Sequence, residues 1–140
     1  MKRRTYLDAS VLIHAWRGMG PLGERAWDIL NDRERTFLSS AFVALEVIPT
    51  AVYHRDIAQQ AFFRRYQMKS EIIDGADRII DRAFAEGAAC GTAGIDACHL
   101  AAAVLGIADE LITAEKPTRP LCRAKSMSVV SLHWPGLGRE

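Results

Sequence analysis

The sequence lacks a long uncharged apolar run. Its longest apolar segments are broken by Glu46, Pro49 or His99, so no membrane span is expected. Cysteine is scarce. Cys90, Cys98 and Cys122 form no CxxC pair and no zinc spacing, and such an odd, sparse set suits reduced thiols in a cytoplasmic protein. A dominant charge is missing as well. With a formal net charge of +1, any affinity for nucleic acid must come from local patches rather than from the total. Repeats, linkers and low-complexity stretches are absent. The basic start Met1-Lys2-Arg3-Arg4 has the charge of a secretory leader. Asp8 and His14 interrupt the stretch that follows, and no small-residue cleavage pattern closes it, so no leader is expected.

What is present is an ordinary globular composition, 49% hydrophobic and 25% charged over 140 residues, enough to bury the core of one domain. That domain is expected over 1–134, with a loose tail over 135–140. Apolar runs of strand length alternate with segments of helical period. Strands are predicted over 4–8, 35–39, 69–73, 110–113 and 127–132. Helices are predicted over 11–18 behind a Ser10 cap, over 22–31, and from a Ser39 or Ser40 cap to about 53. Others follow over 54–65, over 76–86 behind an Asp74 cap, and from a Thr92 cap to 106, with a short one over 118–124. This alternation defines an α/β class with a parallel sheet covered on both faces. Ligands of such sheets bind outside the carboxyl ends of the strands, at the topological switch point.

Four acids stand beside apolar runs, where a solvated carboxylate has little reason to be: Asp8, Glu46, Asp96 and Glu115. Asp8 and Glu115 end predicted strands, and Glu46 and Asp96 fall in the first two turns of predicted helices, so all four can face one crevice. Gathered there, they repel. Two charges ~4 Å apart cost roughly 4 kcal/mol at an effective dielectric of 20, more than the ~1 kcal/mol of a helix cap. A divalent cation is the economical explanation. Magnesium and manganese take hard oxygen ligands, and a carboxylate cluster around an open coordination position can activate a water against a phosphodiester. Taken singly, each acid has a structural alternative. Asp8 can serve a strand-to-helix turn, Glu46 can be a surface residue, Asp96 can serve the helix dipole, and Glu115 can be a loop residue. The case rests on their joint placement.

The segments around these acids also carry a resemblance. Tyr6-Leu7-Asp8-Ala9-Ser10-Val11-Leu12-Ile13 resembles the opening strand and turn of PIN domains. Glu46, Asp96-Ala97-Cys98-His99-Leu100-Ala101-Ala102-Ala103 and Thr113-Ala114-Glu115-Lys116 resemble the second, third and fourth acidic positions in order. The compact chain is similar nearly throughout to the VapC-type toxins of toxin–antitoxin pairs. This resemblance implies a three-layer α/β/α sandwich around a mainly parallel five-stranded sheet, and a Mg2+- or Mn2+-dependent endoribonuclease. It implies Asp8 and Asp96 as principal metal ligands, Glu46 as a ligand or water-orienting group, and Ser10 and Thr113 as hydrogen-bond partners that hold carboxylates in place. It further implies a small cognate antitoxin and a homodimer. One departure is Glu115, at a position commonly Asp; the extra methylene bears on the number of metals held.

His99 shares a helical face with Asp96 and reads more readily as a packed histidine than as a carboxylate partner. Lys116 reads equally as a phosphate contact or a solvated loop lysine. Arg55, Arg64, Arg65 and Lys69 interleave with Phe62, Phe63 and Tyr66, a mixture that suits RNA but fits an amphipathic helix slightly better. Trp16 and Trp27 suggest a groove for a partner, although large aromatics more often belong to cores. Two other function classes stay open. A receiver-like signalling domain would use Thr113 and Lys116 beside a phospho-accepting Asp after the third strand, where only Asp74 is available. A non-catalytic PIN-like binding domain would explain the unusual Glu115.

Overall fold

The protein was analysed as a computed structural model, which describes residues 1–133; the tail expected over 135–140 lies outside the described residues. The chain runs β1 (Arg3–Leu7), α1 (Ala9–Arg17), α2 (Gly20–Leu30), β2 (Arg35–Ser39), α3 (Ala41–Tyr53), α4 (Ile57–Lys69) and β3 (Glu71–Ile72). It continues through α5 (Ala76–Cys90), α6 (Gly94–Leu105), β4 (Glu110–Thr113), a 3-10 turn over Pro120–Arg123, and β5 (Ser128–Ser131). All strand pairings are parallel, in the order β3-β2-β1-β4-β5. The sheet is therefore fully rather than mainly parallel. β1 lies at its centre, and the strand order reverses between β1 and β4.

Side-chain alternation along the strands shows which helices cover which face. Tyr6 pairs in register with Leu38. Tyr6 is bonded to His99 on α6, and Leu38 packs beneath Gly106 at the end of that helix. Phe37, one residue before Leu38, points the other way and meets the Tyr66 ring of α4 at 5.8 Å. Helices α6 and α4 thus lie on opposite faces, which gives the α/β/α sandwich. The buried apolar residues form one cluster that includes Tyr6, Leu7, Leu38, Leu100, Leu111 and Ile112.

Several helix starts differ from expectation, each for a local reason. Asp8, not Ser10, caps α1, because its carboxylate accepts from the Ser10 amide two residues on. Gly75 in the left-handed region precedes α5, so Asp74 does not cap it. Ala93 precedes α6, while Thr92 is buried against α5. The predicted helix over 54–65 is displaced to Ile57–Lys69. Arg55 turns the chain with φ 55°, and the Asp56 carboxylate accepts from the Gln59 amide at 3.0 Å to start α4. Along α4, Phe63 and Tyr66 are buried while Arg64, Arg65 and Lys69 are exposed, the amphipathic pattern expected of it. Trp16 and Trp27 both pack on Phe62, at 5.5 and 5.8 Å, with Trp27 partly exposed.

One glycine sets the approach of α6. A Cβ on Gly87 would lie 2.6 Å from the Thr92 carbonyl oxygen. Only a residue without a side chain allows α5 to pass that near the start of α6, the helix that carries Asp96.

Candidate active site

β1 passes into α1 without a linker, so Asp8 sits at the carboxyl end of the central strand, beside the switch point. Its amide donates to the Ile112 carbonyl at 3.1 Å, tying it to β4. Its side chain is almost wholly buried; Oδ1 accepts from the Ser10 amide at 3.0 Å and from the Ser10 hydroxyl. Ser10 Oγ in turn accepts the Ala114 amide at 3.0 Å. That amide occupies a lone pair of the hydroxyl and leaves its proton for Asp8, so Ser10 clips the ends of β1 and β4 together. Burial pushes the Asp8 carboxyl upward, and the hydroxyls of Ser10 and Thr113 pull it back.

Glu115 follows β4 and is only partly exposed. Its amide donates to Thr113 Oγ1 at 3.1 Å, its carbonyl accepts the Ser131 hydroxyl at 2.5 Å, and Arg119 lies 3.5 Å from its carboxylate. Asp96, in the first turn of α6, lies near it. The Asp96 carboxyl is pushed up to about 6, first by burial, then by the charge of Glu115 and a hydrogen bond with it, and then by Asp8. Asp8, Asp96 and Glu115 therefore share one pocket of mutual repulsion.

Glu46 stands apart from this trio. Its partly exposed carboxylate, on the second turn of α3, accepts from His99 Nε2 at 2.5 Å, and the His99 ring is wholly buried. His99 Nδ1 lies 2.8 Å from Tyr6 Oη, which lies 2.7 Å from Ser40 Oγ. His99 is thus both packed, as expected, and the partner of a carboxylate. Tyr6 and Ser40 were not singled out in the sequence; Tyr6 reads there as one more apolar strand residue and Ser40 as a cap, which it also is. Arg119 was missed too, although its position four residues after Glu115 signals it. Lys116 is an exposed loop residue.

The donor set suits a hard divalent cation. It is carboxylate oxygen throughout. Asp96 is raised first by burial and then by the charges of Glu115 and Asp8, and a cation would relieve that second part; Asp8 is raised by burial alone. Among the described residues, no three His, Cys, Asp or Glu side chains form a ready-made metal cage.

A parallel α/β sandwich with an acidic pocket at the switch point is the class of molecule these features define. No family model and no curated relative matches the sequence. Solved structures do. A chain of a toxin–antitoxin complex from Klebsiella pneumoniae superposes with a TM-score of 0.72 at 23% identity, covering 92% of this chain and 98% of that one. A chain of VapBC2 from Rickettsia felis, bound to a DNA fragment from its promoter, gives 0.69 at 13% identity, covering 91% and 98%. FitAcB from Neisseria gonorrhoeae gives 0.65 at 16%, covering 93% and 99%. The chain has the fold of these proteins, the PIN-type fold that its acidic segments resemble.

Proposed function

We propose that the protein is a metal-dependent endoribonuclease, the toxin of a VapBC-type toxin–antitoxin pair. The observation that carries this reading is the convergence of Asp8, Asp96 and Glu115 at the carboxyl ends of β1 and β4, with Asp96 raised by its neighbours. Asp8 and Asp96 would hold Mg2+ or Mn2+, with Glu115 and Glu46 completing the acidic rim. When bound, the ion supplies Lewis-acid activation of a water and neutralises charge at the phosphodiester. Ser10 orients Asp8 through its hydroxyl, and Thr113 steadies the Glu115 turn through that residue's amide. Arg119, beside Glu115 and largely exposed, offers a cation to a substrate phosphate. The buried position of Asp8 limits water around it, which strengthens its hold on a cation.

The same reading includes a small antitoxin partner, a homodimer and action in the cytoplasm. The similarity to chains of toxin–antitoxin complexes supports the partner. No single helix among the described residues is long and apolar enough to cross a membrane. A receiver-like role has little support here. Its phospho-acceptor would follow the third strand, yet β3 is a two-residue edge strand and Asp74 after it is exposed.

The test is cleavage of total RNA by purified protein in magnesium, manganese or EDTA, with Asp8→Asn as control. Metal-dependent cleavage that Asp8→Asn loses is the expected result. Absence of cleavage with every metal, together with no metal binding by calorimetry, would leave a non-catalytic binding domain.

A further inference from the structure

Glu46 ends a chain of four side chains, Ser40, Tyr6, His99 and Glu46 itself, whose protons can be assigned. Ser40 is wholly buried, and its Oγ has two partners among the described residues, the Phe42 amide at 3.3 Å and Tyr6 Oη at 2.7 Å. The amide can only donate, so the Ser40 proton must go to Tyr6. Tyr6 Oη, also wholly buried, then donates to His99 Nδ1 at 2.8 Å. With Nδ1 occupied as an acceptor, the ring's proton stands on Nε2 and points at the Glu46 carboxylate at 2.5 Å. The reverse direction would leave the Ser40 proton buried without an acceptor, which native structures avoid. Gln67 holds the start of the chain, donating to the Ser40 carbonyl at 3.1 Å.

We infer that Ser40, Tyr6 and His99 form a positioning relay that locks His99 in its Nε2–H tautomer and thereby fixes the orientation of the Glu46 carboxylate. None of the three touches substrate in this role. They act through Glu46 by engaging its Oε1. A partner that fixes the orientation of a ligating group contributes substantially to affinity at metal sites. The relay also explains why Tyr6 and His99, two groups that are costly to bury unpaired, lie beneath this carboxylate and not elsewhere in the core. The metal-binding part of the inference rests on the nuclease reading; the tautomer part does not.

Two measurements test it. Nitrogen-15 spectra of the histidines should report an Nε2 proton and an unprotonated Nδ1 acceptor on His99, and Tyr6→Phe should erode that preference. A proton on Nδ1 in the unmodified protein would overturn the relay. Manganese titration should then show His99→Phe and Glu46→Ala each weakening binding by about tenfold or more, with the double variant no weaker than either. His99→Gln, whose amide donates from nearly the same point, should restore most of the affinity. Additive losses in the double variant would show that His99 does not act through Glu46. If the unmodified protein binds no manganese, the nuclease reading fails, and the tautomer measurement alone decides the relay.

Discussion

Asp8 and Asp96 are carboxylates whose charge the folded protein resists, and this separates their chemical role from their structural one. Replacing Asp96 by Asn removes a charge that burial, Glu115 and Asp8 all oppose. The metal-free variant should therefore unfold at the same or a higher temperature at pH 7, while RNA cleavage falls by at least about a hundredfold, the scale of losing a main electrostatic contributor. Thermal melts and a cleavage assay on one preparation check both halves. Retained cleavage would remove Asp96 from the mechanism. Ser10→Ala should behave in the opposite way. Its loss strips a hydroxyl from Asp8 and leaves the Ala114 amide without its acceptor. A destabilisation of about 1–3 kcal/mol is expected from the orphaned amide, read as a lower denaturant midpoint at unchanged slope.

At the scale of elements, the placement of the acids depends on how strands and helices meet. Gly87→Ala should force α5 away from the Thr92 carbonyl and shift the start of α6. An overpacking cost of about 1–3 kcal/mol is expected, with weaker metal binding because Asp96 moves with the helix. Chemical denaturation and manganese titration of the variant would show the two losses together. The alternation of apolar runs made the strands around Asp8 and Glu115 legible, and β2 and β4 fall where their periodicity places them. Helix starts were harder to read. Asp8 and Ser10 are both good caps two residues apart, and only the end of β1 at Leu7 decides between them. Arg55 in the left-handed region breaks α3 from α4 without any glycine or proline to announce it. The trio of Asp8, Asp96 and Glu115 was readable because each lies at an element end that the sheet topology aims at one crevice. The bond between Glu46 and His99 spans 53 residues and two helices, and no local spacing signals it.

The whole molecule should register the acidic pocket in its dependence on pH. Asp96 has a folded-state value of about 6 against an ordinary 3.8, and Asp8 is shifted in the same direction. A carboxyl raised by folding holds its proton more tightly in the native state than in the unfolded chain. Its contribution to stability is full below the unfolded value and is lost as pH rises through the folded one. The metal-free protein should therefore lose stability between about pH 4 and pH 7. Glu71 works against this trend near the acid end, because its pairing with Arg4 holds it low and is lost as that carboxylate takes up its proton. The informative window is pH 5 to 7.5, where the Glu71 pair is already formed; His14, held low by burial and then by Arg17, opposes the slope there, so the comparison is between the unmodified protein and Asp96→Asn. Manganese should reverse the slope there. Binding requires the deprotonated carboxylates, so the rise in melting temperature at fixed manganese should grow from pH 5 to pH 7.5. Asp96→Asn should flatten both the metal-free slope and the manganese response. A metal-free stability that stays level across this window, with no manganese response at its upper end, would mean that the three acids do not act as one charged cluster.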